Sequence, residues 1–342
     1  MTIGFLYPKT GPAASLGKPQ GDWASRYVTT KKGGRKYRLQ VGDTQLGGPQ
    51  SPAEAVKAAQ SIASSSNVLG VVGPAGSQEV VATTPVFKNA GLAFVSGSAT
   101  RTTLTDGSRR SFFFRTAPPD AQQSTDVANY MTGKLKARSA FIIDEQNAYS
   151  TGLADEVGAK LKAKGVNVTR ESVNNQTQPD YSSLIAKIPS SVGVVYLPWQ
   201  LPPRAQAFGR QMKQLGKSSV KLFGSDGLFD PLFSGLGSNV YDSFFPIDPK
   251  AAELRAFVRA HKGNNEAFGI PSYAAAQVVG RAIDTACKNG TATRAEVRGA
   301  IAKMNISKSI LGIPLSFTKN GDVKRRKFPI YHSVNGKFVR VT

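Results

Sequence analysis

Residues 71–79 read Val-Val-Gly-Pro-Ala-Gly-Ser-Gln-Glu, an apolar run followed by a glycine-rich turn and a serine that can begin a helix. The apolar run fits the end of a β-strand, and Ser77 has a side chain that is preferred at helix N-termini. A strand, a tight turn and a helix in succession form the repeating unit of parallel sheets. Residues 71–79 therefore predict one such unit of an α/β fold.

The same alternation extends in both directions along the chain. It predicts strands at residues 2–7, 37–43, 68–73, 92–97, 112–116, 139–144, 166–173, 193–197, 220–224 and 241–245. The helices predicted between them are residues 21–30, 53–64, 78–88, 121–135, 151–164, 181–188 and 203–215. Two series of strands, the second beginning near residue 139, indicate two parallel sheets.

The alternation ends after the Pro-Ile-Asp-Pro stretch at residues 246–249. Three successive helices are predicted at residues 251–262, 272–289 and 293–303, followed by strands at residues 310–317, 328–334 and 337–341. Junctions near residues 116–121, 245–249 and 324–329 indicate three passages between lobes. We therefore predict two Rossmann-like lobes, each a mostly parallel sheet flanked by helices, joined by a three-strand hinge. Lobe 1 would be residues 1–117 plus 248–325, and lobe 2 residues 118–247 plus 326–342.

Hydroxyl side chains follow two successive predicted strands of lobe 1. Ser77 comes after one strand, and Ser98 and Thr100 come after the next. Ligands of such folds bind at the carboxyl ends of the strands, and free backbone N–H groups at a helix N-terminus attract anions. The two strand ends are therefore candidates for holding the two oxygens of a carboxylate. A simple helix cap at Ser77 and an ordinary polar loop explain the same residues.

Lobe 2 has an acidic side chain at the corresponding position. Asp226 follows the predicted strand at residues 220–224, and its carboxylate could accept a charge-assisted hydrogen bond from an ammonium group. Tyr149 and Trp199 are candidates for an aromatic wall. Asp226-Gly227 is also a common turn sequence, so a purely structural role explains the same residues. An acid opposite two hydroxyl clusters suits a zwitterionic ligand.

With these segments in view, the chain resembles the type I periplasmic binding proteins of branched-chain amino acid transporters, the leucine/isoleucine/valine-binding group. Eight segments in the same order carry the resemblance, at residues 3–17, 72–77, 94–100, 114–116, 149–152, 224–227, 273–276 and 315–322. They extend over nearly the whole chain. The resemblance implies a binding protein with two lobes that closes on a small amino acid.

The resemblance also implies roles for individual residues. It places the hydroxyls that bind the ligand carboxylate at Ser77 and Thr100, and a carbonyl that accepts from the ligand ammonium at Ser98. The acidic partner of the ammonium falls on Asp226, where leucine-binding members have a glutamate. The aromatic positions fall on Tyr149 and Trp199. The segment at residues 197–204 differs from the leucine binders, so the ligand side chain is left open.

Other function classes lack their motifs. No Gly-x-Ser-x-Gly elbow, Walker loop or dinucleotide fingerprint occurs, so we expect no enzyme activity and no cofactor. The single cysteine, Cys287, lies on an apolar helical stripe and is expected to be buried. His261 and His332 are far apart and each fits a packing position, so no metal site is expected.

The chain is strongly basic, with 44 Lys and Arg against 22 Asp and Glu. Its densest basic clusters are at residues 31–38 and 324–327. Neither alternates with aromatic residues, so we expect no specific nucleic-acid partner. A basic surface without a partner and attraction to an anionic surface are both compatible with this charge.

The predicted location is periplasmic or extracellular, associated with the cell surface. The chain starts directly with a strand pattern and shows no signal peptide, which we expect to have been removed. The predicted partners are a small ligand and the permease of an ABC importer, with the protein itself a monomer. Two alternatives remain, namely the same fold binding an aromatic carboxylate, amide or urea-like ligand, and a sensory ligand-binding module.

Overall fold

The computed structural model of the protein describes residues 1–30, 37–48, 51–175, 177–178, 180–263, 266–324 and 327–342. The chain forms two compact units. Unit 1 comprises Met1–Pro119 and Pro246–Arg326, and unit 2 comprises Asp120–Phe245 and Lys327–Thr342. The predicted lobe boundaries lie within two residues of these divisions. Residues 31, 32, 35, 36, 325 and 326 of the basic clusters and of the third predicted junction lie outside the described residues.

The strands in chain order are β1 (Thr2–Tyr7), β2 (Arg38–Asp43), β3 (Val68–Val72), β4 (Phe94–Ser96), β5 (Phe113–Arg115), β6 (Ser139–Asp144), β7 (Asn167–Ser172), β8 (Val194–Leu197), β9 (Lys221–Gly224), β10 (Val240–Ser243), β11 (Asn305–Ile306), β12 (Leu315–Ser316), β13 (Ile330–Val334) and β14 (Lys337–Arg340). The α-helices are α1 (Ala14–Thr30), α2 (Ser51–Ser64), α3 (Ser77–Asn89), α4 (Asp120–Gly133), α5 (Ala148–Lys162), α6 (Ser182–Ala186), α7 (Pro202–Gln214), α8 (Pro231–Ser234), α9 (Ala252–Ala260), α10 (Gly269–Ala286) and α11 (Arg294–Ala302).

Unit 1 is built on a five-stranded parallel sheet in the order β2-β1-β3-β4-β5. Consecutive strand residues pack into different cores, because side chains alternate between the faces of a strand. Phe5 joins a core with helices α1, α10 and α11, whereas Leu6 joins a core with α2 and α3. The sheet is therefore covered by helices on both faces, and the carboxyl ends of β3 and β4 lie next to each other.

Unit 2 is built on a seven-stranded sheet in the order β14-β13-β10-β9-β8-β6-β7. The strands from β6 to β10 pair in parallel, and β13 pairs antiparallel with both β10 and β14. The prediction of two mostly parallel sheets flanked by helices is confirmed. No helix within the described ranges is long and apolar enough to cross a membrane.

Two predicted elements differ from the structure. The predicted strand at residues 310–317 is reduced to β12, which pairs with β11. Residues 310–313 form a turn, in which Gly312 has a φ of +74°, and Pro314 has no N–H to donate to a neighbouring strand, so the extended segment begins only after it. Helix α1 begins at Ala14 rather than at residue 21. Gly17 lies inside this helix at a close approach to the first loop, where a Cβ would be 1.9 Å from the Pro8 carbonyl oxygen, so the position requires glycine.

Candidate functional site

The loops after β3 and β4 are connected by hydrogen bonds that involve the predicted site residues. The Ser98 hydroxyl donates to the Ala75 carbonyl at 2.9 Å. The backbone N–H of Arg101 donates to the Ser77 hydroxyl oxygen at 3.2 Å. These bonds hold the two loops together at the carboxyl end of the sheet. The structure therefore brings together Ser77, Ser98 and Thr100, as two neighbouring parallel strands require.

Polar groups in these loops retain hydrogen-bonding capacity. Thr100 is fully buried, and its hydroxyl has no hydrogen-bond partner among the described residues. The Ser98 carbonyl accepts no hydrogen bond from any described residue. Buried polar groups in proteins are almost always hydrogen-bonded, so an unmatched hydroxyl beside a helix N-terminus suits a polar ligand group. Ser77 begins α3, where the first backbone N–H groups have no partner within the helix.

Glu79 is a buried carboxyl in this loop region that the sequence analysis did not identify. One of its oxygens accepts from the Gly76 N–H at 2.9 Å, and the other lies 3.4 Å from the Ser51 hydroxyl. Burial is the largest influence on the group and raises its pKa to about 7, although these hydrogen bonds favour the charged form. Glu79 therefore holds the turn that leads into Ser77.

Gly73 allows the turn after β3 to pass close to β1. Its φ is +97°, and a Cβ at this position would lie 2.0 Å from the Leu6 carbonyl oxygen. Only glycine adopts this backbone conformation readily and leaves room for the neighbouring strand. The glycine-rich sequence at residues 71–79 thus has a specific geometric cause.

Asp226 lies in unit 2 just after β9, and its carboxyl group is buried. Its Oδ1 accepts hydrogen bonds from the Tyr149 hydroxyl at 2.7 Å and from the Gln123 side-chain amide at 2.8 Å. The Tyr149 hydroxyl is also 2.7 Å from the Ser225 hydroxyl. No described side chain donates to Oδ2 of Asp226. The carboxyl group is therefore oriented through one oxygen, while the other has no side-chain partner.

Burial raises the pKa of Asp226 to about 6, although the hydrogen bonds from Tyr149 and Gln123 favour the ionised form. The group is therefore largely ionised at pH 7. Asp242 on β10 is fully buried nearby, and its side-chain oxygens have no side-chain partner among the described residues. Burial and the charge of Asp226 raise the pKa of Asp242 well above its usual value. Unit 2 therefore combines one oriented carboxylate with a carboxyl group that favours the neutral form.

Trp199 occupies the apolar core of unit 2. Its indole packs against Tyr181 and Phe208, and its Nε1 donates to the Ile143 carbonyl at 2.7 Å. The side chain is fully buried in this environment. Trp199 therefore has a clear structural role, and its contact with a ligand stays a prediction. Tyr149, in contrast, lies directly beside Asp226.

Glu145 connects three loops of unit 2, immediately after β6. Its Oε1 accepts from the Gln200 N–H at 2.7 Å and from Asn147, and its Oε2 accepts from Asn175 at 2.9 Å. Burial raises its pKa to about 7. The loops that follow β6, β7 and β8 are thus held by one side chain.

The histidines and the cysteine occupy packing positions. His261 stacks on Phe257 and His332 stacks on Tyr241, with ring centroids 4.0 and 4.5 Å apart. Cys287 is buried, as predicted. Within the described part of the chain, no group of three or more His, Cys, Asp or Glu side chains is arranged to hold a metal ion.

Sequence reasoning missed Gln123, Glu79, Glu145 and Asp242. Gln123 comes from a helix distant in sequence from Asp226, so no local pattern connects them. A weak signal existed for Asp242, which interrupts an apolar stretch at residues 240–245. A charged residue in a central strand is rare unless it has a specific environment.

Comparison with known proteins identifies the family. A family model described as periplasmic binding protein matches residues 1–337. The Leu/Ile/Val-binding protein BraC3 of Rhizobium johnstonii is 30% identical over 358 residues, covering 99% of this chain and 93% of that protein.

Solved structures agree on the fold. A leucine-binding protein, LivK, from Thermotoga maritima superimposes with a TM-score of 0.88 at 22% identity, covering 100% of this chain and 98% of that chain. A solute-binding protein of an ABC transporter from R. palustris, in complex with benzoate, has a TM-score of 0.84 at 20% identity and covers 99% and 95%. The match along almost the entire chain shows that the protein belongs to the periplasmic binding protein family.

Proposed function

We propose that this protein is the extracytoplasmic solute receptor of an ABC importer, and that its ligand is an α-amino acid with a small apolar side chain. The protein would bind the amino acid and deliver it to a membrane-embedded permease without chemical change. Support for the ligand class comes from the BraC3 relative, named as a Leu/Ile/Val-binding protein, and from polar groups in each unit.

The polar groups of unit 1 suit the ligand carboxylate. The Thr100 hydroxyl is buried without a described partner, and Ser77 stands at the N-terminus of α3. The partial positive charge of a helix N-terminus favours an anion there. We assign the carboxylate to the Ser77 and Thr100 hydroxyls, and a hydrogen bond from the ligand ammonium to the Ser98 carbonyl.

The observation that carries the proposal is the arrangement of Asp226. A buried carboxylate needs a compensating positive charge or strong hydrogen bonds. Asp226 receives hydrogen bonds from Tyr149 and Gln123 on Oδ1, while Oδ2 has no side-chain donor. The ammonium group of an amino acid would supply both the charge and the donors.

Calorimetric titration with isoleucine, valine and leucine tests this assignment. Asp226→Ala should weaken binding at least a hundredfold, because removing one partner of a buried ion pair costs roughly 3–5 kcal/mol. Asp226→Asn should give an intermediate loss. Asp230→Asn is the matched control. Asp230 lies four residues after Asp226 and accepts a hydrogen bond from the Leu232 N–H at the start of α8. Asparagine can cap a helix equally well, so this variant should bind the amino acid as the parent does. Unchanged affinity in Asp226→Ala would refute the amino acid assignment.

The carboxylate assignment has its own test. Ser77→Ala and Thr100→Val should each weaken amino acid binding by about 1.5–3 kcal/mol, since each removes a hydrogen bond to a charged group. A double variant that binds as tightly as the parent would show that the carboxylate lies elsewhere.

A second candidate within the same fold is an aromatic carboxylate, which the benzoate complex of the R. palustris protein favours. Such a ligand has no ammonium group and gains nothing from Asp226. Benzoate should therefore bind more weakly than isoleucine to the parent, and Asp226→Ala should leave benzoate binding unchanged or improve it. Tight binding of benzoate, an amide or urea, without amino acid binding, would support this alternative. Loss of uptake in a strain without the gene would separate transport from sensing.

A further inference from the structure

The positive charge of the protein is concentrated in unit 1. This unit has 28 Lys and Arg against 11 Asp and Glu, whereas unit 2 has 16 against 11. The net charges are therefore +17 and +5. Unit 1 therefore carries most of the net positive charge, and the charge is not distributed evenly over the two units.

Within unit 1 the charge favours one of the two helical layers. The layer formed by residues 14–30 and 250–308, which contains α1, α9, α10 and α11, has 12 Lys and Arg against five Asp and Glu. We call it the basic layer. The helices on the other face of the sheet, α2 and α3, have two basic and two acidic residues. The sheet thus separates a strongly basic layer from a balanced pair of helices.

Helix α9 shows how the basic layer presents its charge. Leu254 and Phe257 point into the core, and Phe257 stacks on Trp23 of α1. Arg255 and Arg259 lie at i and i+4, so they share one exposed face of α9, and Lys262 is exposed just after the helix ends at Ala260. None of these three forms an ion pair with a described residue. We call them the α9 stripe.

Two of the acidic side chains of the basic layer are engaged in hydrogen bonds. Glu253 accepts from the Gln277 amide at 2.6 Å, and Asp284 accepts from the Tyr37 hydroxyl. Both are only partly exposed. They therefore do little to neutralise the exposed face of α9.

The chemistry of the basic layer fits a diffuse anionic surface rather than nucleic acid. Exposed large apolar side chains among the described residues are aliphatic, so no aromatic platform for bases is present on that surface. The charges are distributed along helices instead of converging on a pocket. Phosphate groups of anionic lipids form an extended negative surface, and each nearby Lys or Arg adds to the attraction.

We propose that the basic layer of unit 1 docks on anionic lipid headgroups, so that the receptor stays close to the membrane that holds its permease. The location outside the cytoplasm rests on the proposed function, but the surface itself does not depend on the ligand. Binding to lipid should therefore occur with or without an amino acid, and a wrong ligand assignment would leave it unaffected. Since the attraction is electrostatic, salt should release the protein.

Co-sedimentation of the full chain with lipid vesicles tests this proposal. The parent should bind vesicles of phosphatidylcholine with about 30% phosphatidylglycerol at low salt, bind poorly to pure phosphatidylcholine, and be released by about 0.5 M NaCl. The triple variant Arg255→Gln, Arg259→Gln, Lys262→Gln should lose roughly a hundredfold in partition to the anionic vesicles. Circular dichroism would establish that the variant is folded.

The matched control removes the same charge from unit 2. Lys160, Lys162 and Lys164 are exposed at the end of α5, and changing all three to Gln should reduce vesicle binding only slightly. Equal losses in both triple variants would overturn the proposal, because net charge alone would then explain binding. Failure of the parent to bind anionic vesicles at low salt, or binding to DNA and not to vesicles, would also overturn it.

Discussion

Glu79 offers a quantitative test of how the loop before Ser77 is stabilised. The carboxyl group is fully buried, and its pKa is raised to about 7 from an ordinary value of 4.5. The folded protein therefore holds the proton more tightly than the unfolded chain. Stability from this group is complete below pH 4.5 and is lost as the pH rises towards and through 7. An increase in pKa from 4.5 to about 7 corresponds to about 3 kcal/mol of stability.

Glu79→Gln removes the titration while retaining an oxygen that accepts from the Gly76 N–H. Between pH 5 and pH 8 the parent should therefore lose about 2.5 kcal/mol more stability than the variant, because the unfolded chain already begins to ionise below pH 5. Urea unfolding at both pH values measures this difference. The protein has two tryptophans, so a Trp199→Phe background leaves Trp23 of unit 1 as the fluorescence reporter.

Glu296 provides a control of opposite sign, because it occupies the same capping-box position in α11 but is exposed. The hydrogen bond from the Thr293 N–H lowers its pKa. The stabilising contribution of ionised Glu296 is present above its unfolded pKa and is lost as the pH falls. Glu296→Gln should therefore be less stable than the parent at pH 8. If Glu79→Gln and the parent lose stability in parallel from pH 5 to pH 8, the raised pKa of Glu79 is wrong.

Three further variants test other features of the two units. Arg115 is buried and its Nε donates to Asp322 at 2.7 Å. Arg115→Met should therefore destabilise unit 1 by roughly 3–5 kcal/mol, measured by urea unfolding. A loss below 1 kcal/mol would contradict a stabilising role for this ion pair. Trp199→Phe should lower the stability of unit 2 by about 1–3 kcal/mol, because the Ile143 carbonyl loses its indole donor. A melting temperature equal to that of the parent would argue against this buried hydrogen bond. Gly73→Ala should destabilise unit 1 by about 1–3 kcal/mol or prevent folding. Far-UV circular dichroism and thermal melting would detect either effect. A melting temperature equal to that of the parent would show that the turn has another conformation.

Asp226 predicts a pH dependence of ligand binding. Under the proposed function the ligand ammonium binds the ionised carboxylate, whose pKa is about 6, so affinity for isoleucine should fall about tenfold from pH 7 to pH 5. Calorimetry at both pH values measures the change, and Asp226→Asn should reduce it. The same tenfold loss in Asp226→Asn would assign the titration to another group.

The residues of the sequence determined most of the secondary structure, because local patterns carry it. An apolar run such as residues 68–72 indicates a buried parallel strand. The change from alternating strands and helices to successive helices after residue 250 indicated where the chain passes from one unit to the other. The glycine-rich turn at residues 71–79 and the resemblance along the chain placed Ser77, Ser98, Thr100 and Asp226 just after strands, whereas Tyr149 lies in the first turn of α5. Ends of neighbouring parallel strands must lie side by side, so the proximity of Ser77 to Ser98 and Thr100 followed from the pairing of β3 with β4.

Only the tertiary structure decided how those residues are used. Gln123 and Tyr149 come from helices far from Asp226 in sequence, yet both donate to its Oδ1. Trp199 follows a strand just as a ligand-contacting residue would, but its indole turns into the core and bonds to Ile143. Glu79 has the pattern of an exposed capping residue and is buried instead. Burial and hydrogen bonding between distant segments set the charge and orientation of a side chain, and these depend on packing that no local sequence pattern encodes.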